Sequence, residues 1–320
     1  MRKLLISALT LLSLHVSQVF AENTSAQSLL HQMNDASQHL NYELSYFLLK
    51  KNSIEPLLYR HARQGEQQFA HLIYLSGPVR EVIRRGNEVS YIEPGVEPFT
   101  IESGTMVAPI IPMLNSDIGK LSQYYDFVKM GRAREAGVAC QVLRVVPKDG
   151  LRYSYVLWID ENSFLPLRAD LVDRDGEVLE QYRTVSYSIN DKLATVMSGL
   201  NQVQLPEVLS LPKGNVEQTF WTVGWKPEGF QPLELNRYRM AMTERLVESQ
   251  MFSDGLFNFS VYISARDELS IKGQLVRQGR RTVHSIVQGK KEISVVGDIP
   301  PTTAQRIAQS ITIRDEKVLP

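Results

Sequence analysis

Short stretches in which apolar and polar residues alternate fill most of the chain between residues 41 and 189. They are separated by turn-forming pairs such as Gly-Glu, Gly-Pro and Pro-Gly. In the stretch LRYSYVLWID, one face of an extended strand carries Tyr153, Tyr155, Leu157 and Ile159. Such alternation is typical of an antiparallel sheet that has one face shielded from water. The sequence therefore predicts an antiparallel meander of roughly ten strands.

Helical spacing appears in only a few places. Residues 28–40 carry an apolar stripe, and residues 300–313 begin with prolines and continue with apolar residues on one side. Residues 105–125 contain two prolines and suit a short helix or a lid. The stripe of the first helix consists of Leu29, Leu30, Met33, Ala36 and Leu40. The combination of many strand patterns with a few helical ones predicts an α+β chain that is mostly antiparallel β. The last helix is expected to cover a smaller second sheet.

The N-terminus has the features of a secretory signal peptide. Arg2 and Lys3 precede an apolar run, and Val19-Phe20-Ala21 forms a small-residue cleavage signature. We expect residues 1–21 to be removed on export, which predicts a periplasmic protein. No later stretch approaches the length of a membrane-spanning helix.

The remaining length, about 300 residues, suits two domains better than one. Residues 199–216 show no sustained periodicity and contain Pro206, Pro212 and Gly214, as expected of a linker. The predicted domains are therefore residues 22–198 and 217–320.

Charge and cysteine content narrow the classes of partner and chemistry. The 35 basic and 35 acidic residues give a formal net charge of zero, which argues against a nucleic-acid partner. The single cysteine, Cys140, has apolar strand neighbours and is expected to be a buried, unreactive thiol.

No catalytic or metal-binding motif is present in the sequence. HExxH, CxxC, GxSxG and Gly-rich phosphate-loop patterns are all missing. The carboxylates at residues 170–177 are interleaved with arginines and are expected to form a neutralised solvent face. We therefore predict no catalytic residue, cofactor or metal site, although an enzyme built from residues distant in sequence stays open.

The first predicted domain is rich in aromatic and aliphatic residues. A sheet of about ten strands curls, and one helix with a Pro-rich segment gives limited material to fill its concave side. A hollow half-barrel and an ordinary filled core both stay open at this point. An apolar concave surface of this kind binds acyl chains or hydrophobic peptide segments.

Several strings in the chain resemble the RseB/MucB family over about residues 28–312. They are LLHQMNDASQHLNYELSY, YRHAR, REVIRRGNEVSYIEPGVEPFT, RYSYVLWID, LPLRADLVDRDGEVLEQ, SDGLFNFSV, GRRTV and PPTTAQRIA. The resemblance implies a large N-terminal domain similar to LolA and LolB, which is an unclosed β-barrel with helices across its opening. It also implies a smaller C-terminal domain.

The resemblance further implies a negative regulator of sigma-E signalling that is not an enzyme. Such a protein binds the periplasmic domain of the anti-sigma factor RseA and shields it from the protease DegS. Lipopolysaccharide or misdirected lipoprotein releases it. The first domain would serve equally well in a lipid or lipoprotein carrier, and a homo-oligomer stays open.

Two sets of site residues follow from these expectations. Residues that alternate along neighbouring strands would line the concave face of the sheet. This favours lipid contact by Tyr91, Phe99, Tyr153, Tyr155, Leu157 and Leu167. Plain core packing is the alternative for each of them. The partner-binding set is Arg280, Arg281, Phe252 and Phe257, and one of the two adjacent arginines is expected to be merely solvated because strand neighbours point to opposite faces.

Overall fold

The computed structural model describes residues 25–111, 113–209, 219–240, 244–267, 270 and 273–314. The predicted signal peptide, residues 1–21, and residues 210–216 of the predicted linker lie outside the described residues. The described residues form a large and a small antiparallel sheet with a few helices. This architecture confirms the predicted fold class.

The large N-terminal sheet has eleven strands that run in the order β6-β5-β4-β3-β2-β1-β11-β10-β9-β8-β7. Pairing of β1 with β11 joins two meanders. Strands β6 and β7 remain at the two edges, so the barrel is unclosed. The strands are β1 Tyr42–Lys50, β2 Ser53–Gln64, β3 Gln67–Tyr74, β4 Glu81–Arg85, β5 Glu88–Ile92, β6 Phe99–Glu102, β7 Tyr125–Glu135, β8 Val138–Pro147, β9 Ser154–Asp160, β10 Pro166–Val172 and β11 Val178–Ile189.

Helix α1, Ala26–His39, lies across the concave side of this sheet. It contacts both β2 and β7, which are far apart in the strand order, so the sheet curls around it. The Ser25 hydroxyl accepts a hydrogen bond from the Ser28 amide and caps the helix. The predicted apolar stripe faces inward, because Leu30 and Met33 are fully buried. Residues 105–125 contain a short helix, α2 at Ile118–Leu121, where the sequence favoured a short helix or a lid. This helix packs beside α1.

His61 of β2 holds the C-terminal end of α1 against the sheet. Its Nδ1 donates to the Leu40 carbonyl at 2.9 Å, and its ring stacks on Tyr42 with centroids 5.3 Å apart. Burial lowers the pKa of His61 to about 4, because a charged imidazole would lose its hydration there.

Stability should therefore fall in acid through His61. The His61 imidazole becomes protonated near pH 6.5 in the unfolded chain, whereas in the folded chain it becomes protonated only near pH 4. The stability that depends on neutral His61 is complete above about pH 6.5 and is lost by about pH 4, a loss of about 3 kcal/mol. Urea unfolding at pH 7 and pH 4 should show that His61→Phe removes most of this pH dependence. His31→Gln, on the exposed face of α1, is the control; an unchanged pH dependence in His61→Phe would contradict the expectation.

Residues after β11 stay close to the N-terminal sheet. Helix α3, Lys192–Ser198, was not predicted; it buries Met197 against Ala62 and Phe69. A 3₁₀-helix follows at Gly199–Gln202, and the Leu209 amide then donates to the Thr100 carbonyl at 2.7 Å. The described first part of the predicted linker thus lies along the edge strand β6. The linker boundaries stay a prediction.

The small C-terminal sheet has six strands in the order β13-β14-β15-β18-β17-β16, and β12 pairs separately with β19. Helix α4 packs on β17 and β18 and buries Ala304, Ile307 and Ala308, as the sequence predicted for the last helix. The elements are β12 Trp221–Val223, β13 Gln231–Arg239, β14 Leu246–Ser253, β15 Asn258–Ala265, β16 Gln274–Gln278, β17 Arg281–Gln288, β18 Lys291–Gly297, α4 Pro301–Gln309 and β19 Ile311–Ile313.

Candidate binding sites

Four of the six residues predicted to contact lipid are buried on the concave side of the N-terminal sheet: Tyr153, Tyr155, Leu157 and Leu167. Strand pairing places Leu157 between Leu143 and Ala169 in an apolar row across the sheet. Leu157 and Leu167 pack in this interior with no exposed surface. The part of the concave face that carries them is filled by neighbouring side chains.

Tyr91 and Phe99 lie apart from the other four, near the β6 edge of the sheet. Their rings stack with centroids 5.2 Å apart, and both side chains are half-buried. The Tyr91 hydroxyl accepts a hydrogen bond from the Val107 amide at 3.1 Å. The structure therefore does not bring the six predicted residues together into one surface.

The C-terminal sheet inserts an aromatic ring against the concave tyrosines. Phe257, which is fully buried, stacks on Tyr155 with an interplanar angle of 3° and centroids 5.6 Å apart. It also meets Tyr153 edge-on at 6.1 Å. The Tyr153 hydroxyl donates to the Ile299 carbonyl at 3.1 Å. One end of the half-barrel is thus occupied by the chain's own C-terminal part.

Arg280 enters the same end of the half-barrel beside Phe257. Its guanidinium lies 3.5 Å from Glu180 of the N-terminal sheet and 2.8 Å from Asp298 of the C-terminal sheet. Burial raises the pKa of Glu180, because its charged form has lost water contacts. We call the packing of Tyr153, Tyr155 and Glu180 against Phe257 and Arg280 the interdomain contact.

A second buried charge cluster lies beside the interdomain contact. Arg152 Nε is 2.8 Å from Asp254 Oδ2, with side-chain exposures of 1% and 0%. The Tyr125 hydroxyl donates to the same oxygen at 2.5 Å, and burial followed by the Asp254 charge raises the pKa of Tyr125. Arg277 adds 3.0 Å pairs to Asp173 and Glu177 at the surface. Charged pairs therefore connect the two sheets at several points.

The two remaining predicted partner residues have different surroundings. Phe252 is buried in the C-terminal core, where it stacks on Phe259 at 5.0 Å. Arg281 is exposed, with 63% of its side chain accessible, and its Nε lies 3.8 Å from Asp298. In this arrangement Arg281 is available to a partner and Arg280, Phe252 and Phe257 are not. Contact of all four with a partner stays a prediction.

A cavity of about 800 Å³, which the sequence patterns did not place here, lies at the other end of the half-barrel. It is bounded by α1, by the turn between β9 and β10, and by the end of β11. Ala36, Leu40, Phe164, Tyr187 and Ile189 give it an apolar wall, and the exposed His31, Asp35 and His39 of α1 lie at its rim. None of the six predicted lipid residues lines it.

Asp160 organises the wall of this cavity. Its Oδ2 accepts hydrogen bonds from the Tyr187 hydroxyl at 3.0 Å and from the Ser163 hydroxyl at 2.5 Å. Phe164 follows with φ at +61°, a left-handed conformation that costs a non-glycine residue about 1–3 kcal/mol. The turn thereby holds the Phe164 ring at the cavity.

A smaller polar basin of about 390 Å³ adjoins the cavity and shares Gln32, Asp160, Asn162 and Phe164 with it. The other basin residues are Leu29, Lys129, Arg132, Gln141, Ile159 and Glu161. Arg132 donates two hydrogen bonds to Glu161, and Gln141 donates a third at 2.6 Å. The Gln32 Oε1 is shielded from solvent and has no hydrogen-bond partner.

The cavity could not be found from the sequence because its walls come from three distant segments. Residues 31–40, 160–164 and 187–189 meet only when the sheet curls around α1. Each segment alone looks like a helix face, a turn or a strand end. The one local signal is a large aromatic, Phe164, directly after the polar turn of residues 160–163.

Among the described residues, no group of three or more histidine, cysteine or carboxylate side chains is placed to hold a metal ion. No helix in the described part of the chain is long and apolar enough to cross a membrane. Cys140 is buried, and burial raises the pKa of its thiol to about 11. The fold that carries these sites is a large unclosed barrel followed by a smaller sheet domain.

Comparison with known proteins gives the family. The family models for the MucB/RseB N-terminal and C-terminal domains match residues 25–209 and 215–312. Sigma-E factor regulatory protein RseB of Escherichia coli K12 is 45% identical over 300 residues, which cover 92% of this chain and 94% of the relative. RseB of Haemophilus influenzae is 37% identical, covering 96% and 98%. The chain belongs to the MucB/RseB family, which confirms the resemblance.

Solved structures agree on the fold. The Pseudomonas aeruginosa MucA/MucB complex contains a chain that superimposes with a TM-score of 0.72 at 23% identity, covering 90% of this chain and 99% of that one. A crystal structure of MucB gives a TM-score of 0.60, covering 90% of this chain and 98% of that one. The two-domain fold is therefore shared along almost the whole chain.

Proposed function

We propose that this chain is a periplasmic negative regulator of sigma-E signalling. It binds the periplasmic domain of the anti-sigma factor RseA and shields it from cleavage by DegS. Binding of lipopolysaccharide or misdirected lipoprotein then releases it. Family membership supports this, since relatives are named sigma-E factor regulatory proteins and the Pseudomonas relative is solved in complex with MucA.

The interdomain contact is the observation that carries the proposal. Tyr153 and Tyr155, from the predicted lipid set, touch Phe257 from the predicted partner set. An acyl chain that reached these tyrosines would displace Phe257, together with the neighbouring Arg280. Lipid at this surface and the present arrangement of the two domains are thus mutually exclusive.

This exclusion supplies a physical basis for release. If the partner peptide binds one arrangement of the domains and lipid favours another, each ligand weakens the other by the same factor. Couplings of this kind amount to about 1–3 kcal/mol, or about 5–150-fold in affinity. The protein needs no chemical step for such a switch.

Titration of lipid A into a preformed complex with the RseA periplasmic peptide tests the mechanism. We expect the peptide affinity to fall about 5–150-fold at saturating lipid. A peptide affinity that does not change would remove lipid release from the proposal. A chain that never binds the peptide would remove the regulatory function itself.

Arg281 is the arginine of the predicted pair that a partner can reach without domain movement. Arg281→Ala should weaken peptide binding by more than about 1 kcal/mol if Arg281 is an interface anchor. Arg266→Ala replaces another exposed arginine of the same domain and serves as the control. Equal affinities of the two variants would make Arg281 an ordinary surface residue.

A lipid or lipoprotein carrier is the second candidate function, and the cavity of about 800 Å³ favours it. The C-terminal sheet argues against it, because its Phe257 and Arg280 fill one end of the half-barrel. Transfer of a labelled lipoprotein between two membrane preparations by the purified chain would support the carrier. We expect no transfer above the protein-free rate.

A further inference from the structure

We propose that strand β16 is the docking edge for an extended, acidic segment of the partner protein, which pairs with it as an additional strand. This inference rests on the proposed function, because it names the surface and the chemistry by which that partner is bound. The surface belongs to the C-terminal sheet, and binding there leaves the interdomain contact closed.

Strand β16 is the last strand of the C-terminal sheet on one side. Its residues pair with β17, and among the described residues no strand pairs with its other side. All five residues are exposed, including the apolar Leu275 and Val276. An edge strand of this kind presents unpaired backbone N–H and C=O groups, to which an extended peptide adds as a further strand.

The other edges of the eleven-stranded and six-stranded sheets are protected against such pairing. Residues 207–209 lie along β6 and hydrogen-bond to the Thr100 backbone. The register of β7 shifts beside Gly131, and β7 carries several basic residues. Strand β13 contains Pro232, next to which its register also shifts. Prolines, bulges and charges are the usual means of blocking an edge, whereas β16 pairs with β17 without a register shift and has Arg277 as its one charged residue.

The charge around β16 favours an acidic partner over a second copy of this chain. The hairpin of β16 and β17, residues 274–288, contains three arginines and no aspartate or glutamate. Arg277 and Arg280 already pair with carboxylates of the N-terminal domain, whereas Arg281 at the start of β17 is 63% exposed. Pairing with the β16 of a second copy would bring two basic hairpins together, and like charges on neighbouring strands destabilise a sheet. An acidic segment would instead gain an ion pair with Arg281.

The position of β16 depends on the interdomain contact. Arg277, in the strand itself, lies 3.0 Å from both Asp173 and Glu177 of the N-terminal domain. Arg280, in the turn that follows, belongs to the interdomain contact. Lipid that displaces Phe257 and Arg280 would therefore also remove the support of this edge strand. Partner binding at β16 and lipid binding at the concave tyrosines thus oppose each other, as the proposed release requires.

Amide hydrogen exchange of the full chain tests the location. The RseA periplasmic peptide, at about ten times its Kd, should slow exchange of the outward-facing amides within residues 274–278 about tenfold. Peptide binding that leaves these amides unchanged, or that protects residues 125–135 of β7 instead, would overturn the docking edge alone. Protection of β16 that rises with chain concentration in the absence of peptide would show that a second copy occupies the edge, which would overturn the acidic partner. A peptide that does not bind at all would remove the proposed function and this inference together.

Three variants test the edge and the charge of its occupant. Val276→Glu should weaken peptide binding about tenfold, because a carboxylate on the edge repels an acidic segment. Met251→Glu is the matched control, since Met251 is similarly exposed and lies in the same cross-strand row of the sheet, but on the inner strand β14. It should leave the affinity unchanged, and equal affinities of these two variants would overturn the docking edge. Val276→Lys should bind the peptide at least as tightly as the unchanged chain; weaker binding would overturn the acidic class of the partner segment.

Discussion

Arg152→Ala should lower the free energy of unfolding by about 3–5 kcal/mol, because it leaves the Asp254 carboxylate buried without its ion-pair partner. Asp254 is fully buried, and its Oδ2 would keep only the hydroxyl hydrogen bond from Tyr125. Urea denaturation of the purified chain measures the loss.

Two further variants show whether the broken ion pair between Arg152 and Asp254 causes the loss of stability. Arg132→Ala removes an arginine that is 71% exposed and paired with Glu161, and it should have little effect on stability. The double variant Arg152→Met, Asp254→Asn should regain part of the loss, because neither charge then remains buried and an amide oxygen can still accept from the Leu256 and Phe257 amides. A single Arg152→Ala variant as stable as Arg132→Ala would contradict the assignment.

Phe257→Ala should cost about 3–5 kcal/mol, which is the usual penalty for truncating a fully buried aromatic ring. The ring packs on two tyrosines of the other domain, so the loss should fall on the interdomain contact as well as on the C-terminal core. Urea unfolding measures the loss of stability. A small-angle scattering profile, which reports domain separation, measures the effect on the interdomain contact.

Phe47→Ala provides the matched control for Phe257→Ala. Phe47 points outward from β1 and is partly exposed, so its truncation should change stability by much less. Phe257→Leu keeps an apolar side chain and should lie between the two. An unchanged scattering profile in Phe257→Ala would show that Phe257 is a core residue with no role in holding the domains together.

The local patterns predicted most of the secondary structure because each pattern depends on neighbouring residues alone. The stripe of Leu29, Leu30 and Met33 predicted α1, and alternation around Tyr155 predicted β9. Helix α3 was missed because it follows β11 directly and carries no cap: Asp191 makes no side-chain capping bond. Its position depends on Met197 packing against Phe69, a contact between distant parts of the chain.

The site was less predictable than the fold. Alternation correctly indicated that Tyr155 and Leu157 face the concave side, but it could not tell whether empty space or another domain lies opposite. The pairing of Phe257 with Tyr155 joins residues that are about a hundred positions apart. The cavity likewise appears only when α1, Phe164 and Ile189 come together.

The pairing of β1 with β11 joins the first and last strands of the N-terminal sheet, so it affects how the chain folds. Tyr42 pairs with Ile189, so the central pair of strands cannot form until residues about 150 positions apart in the sequence come together. Closing so long a loop is entropically costly and slows folding. Until then β1 and β11 both expose unpaired backbone, which is a route to aggregation during folding.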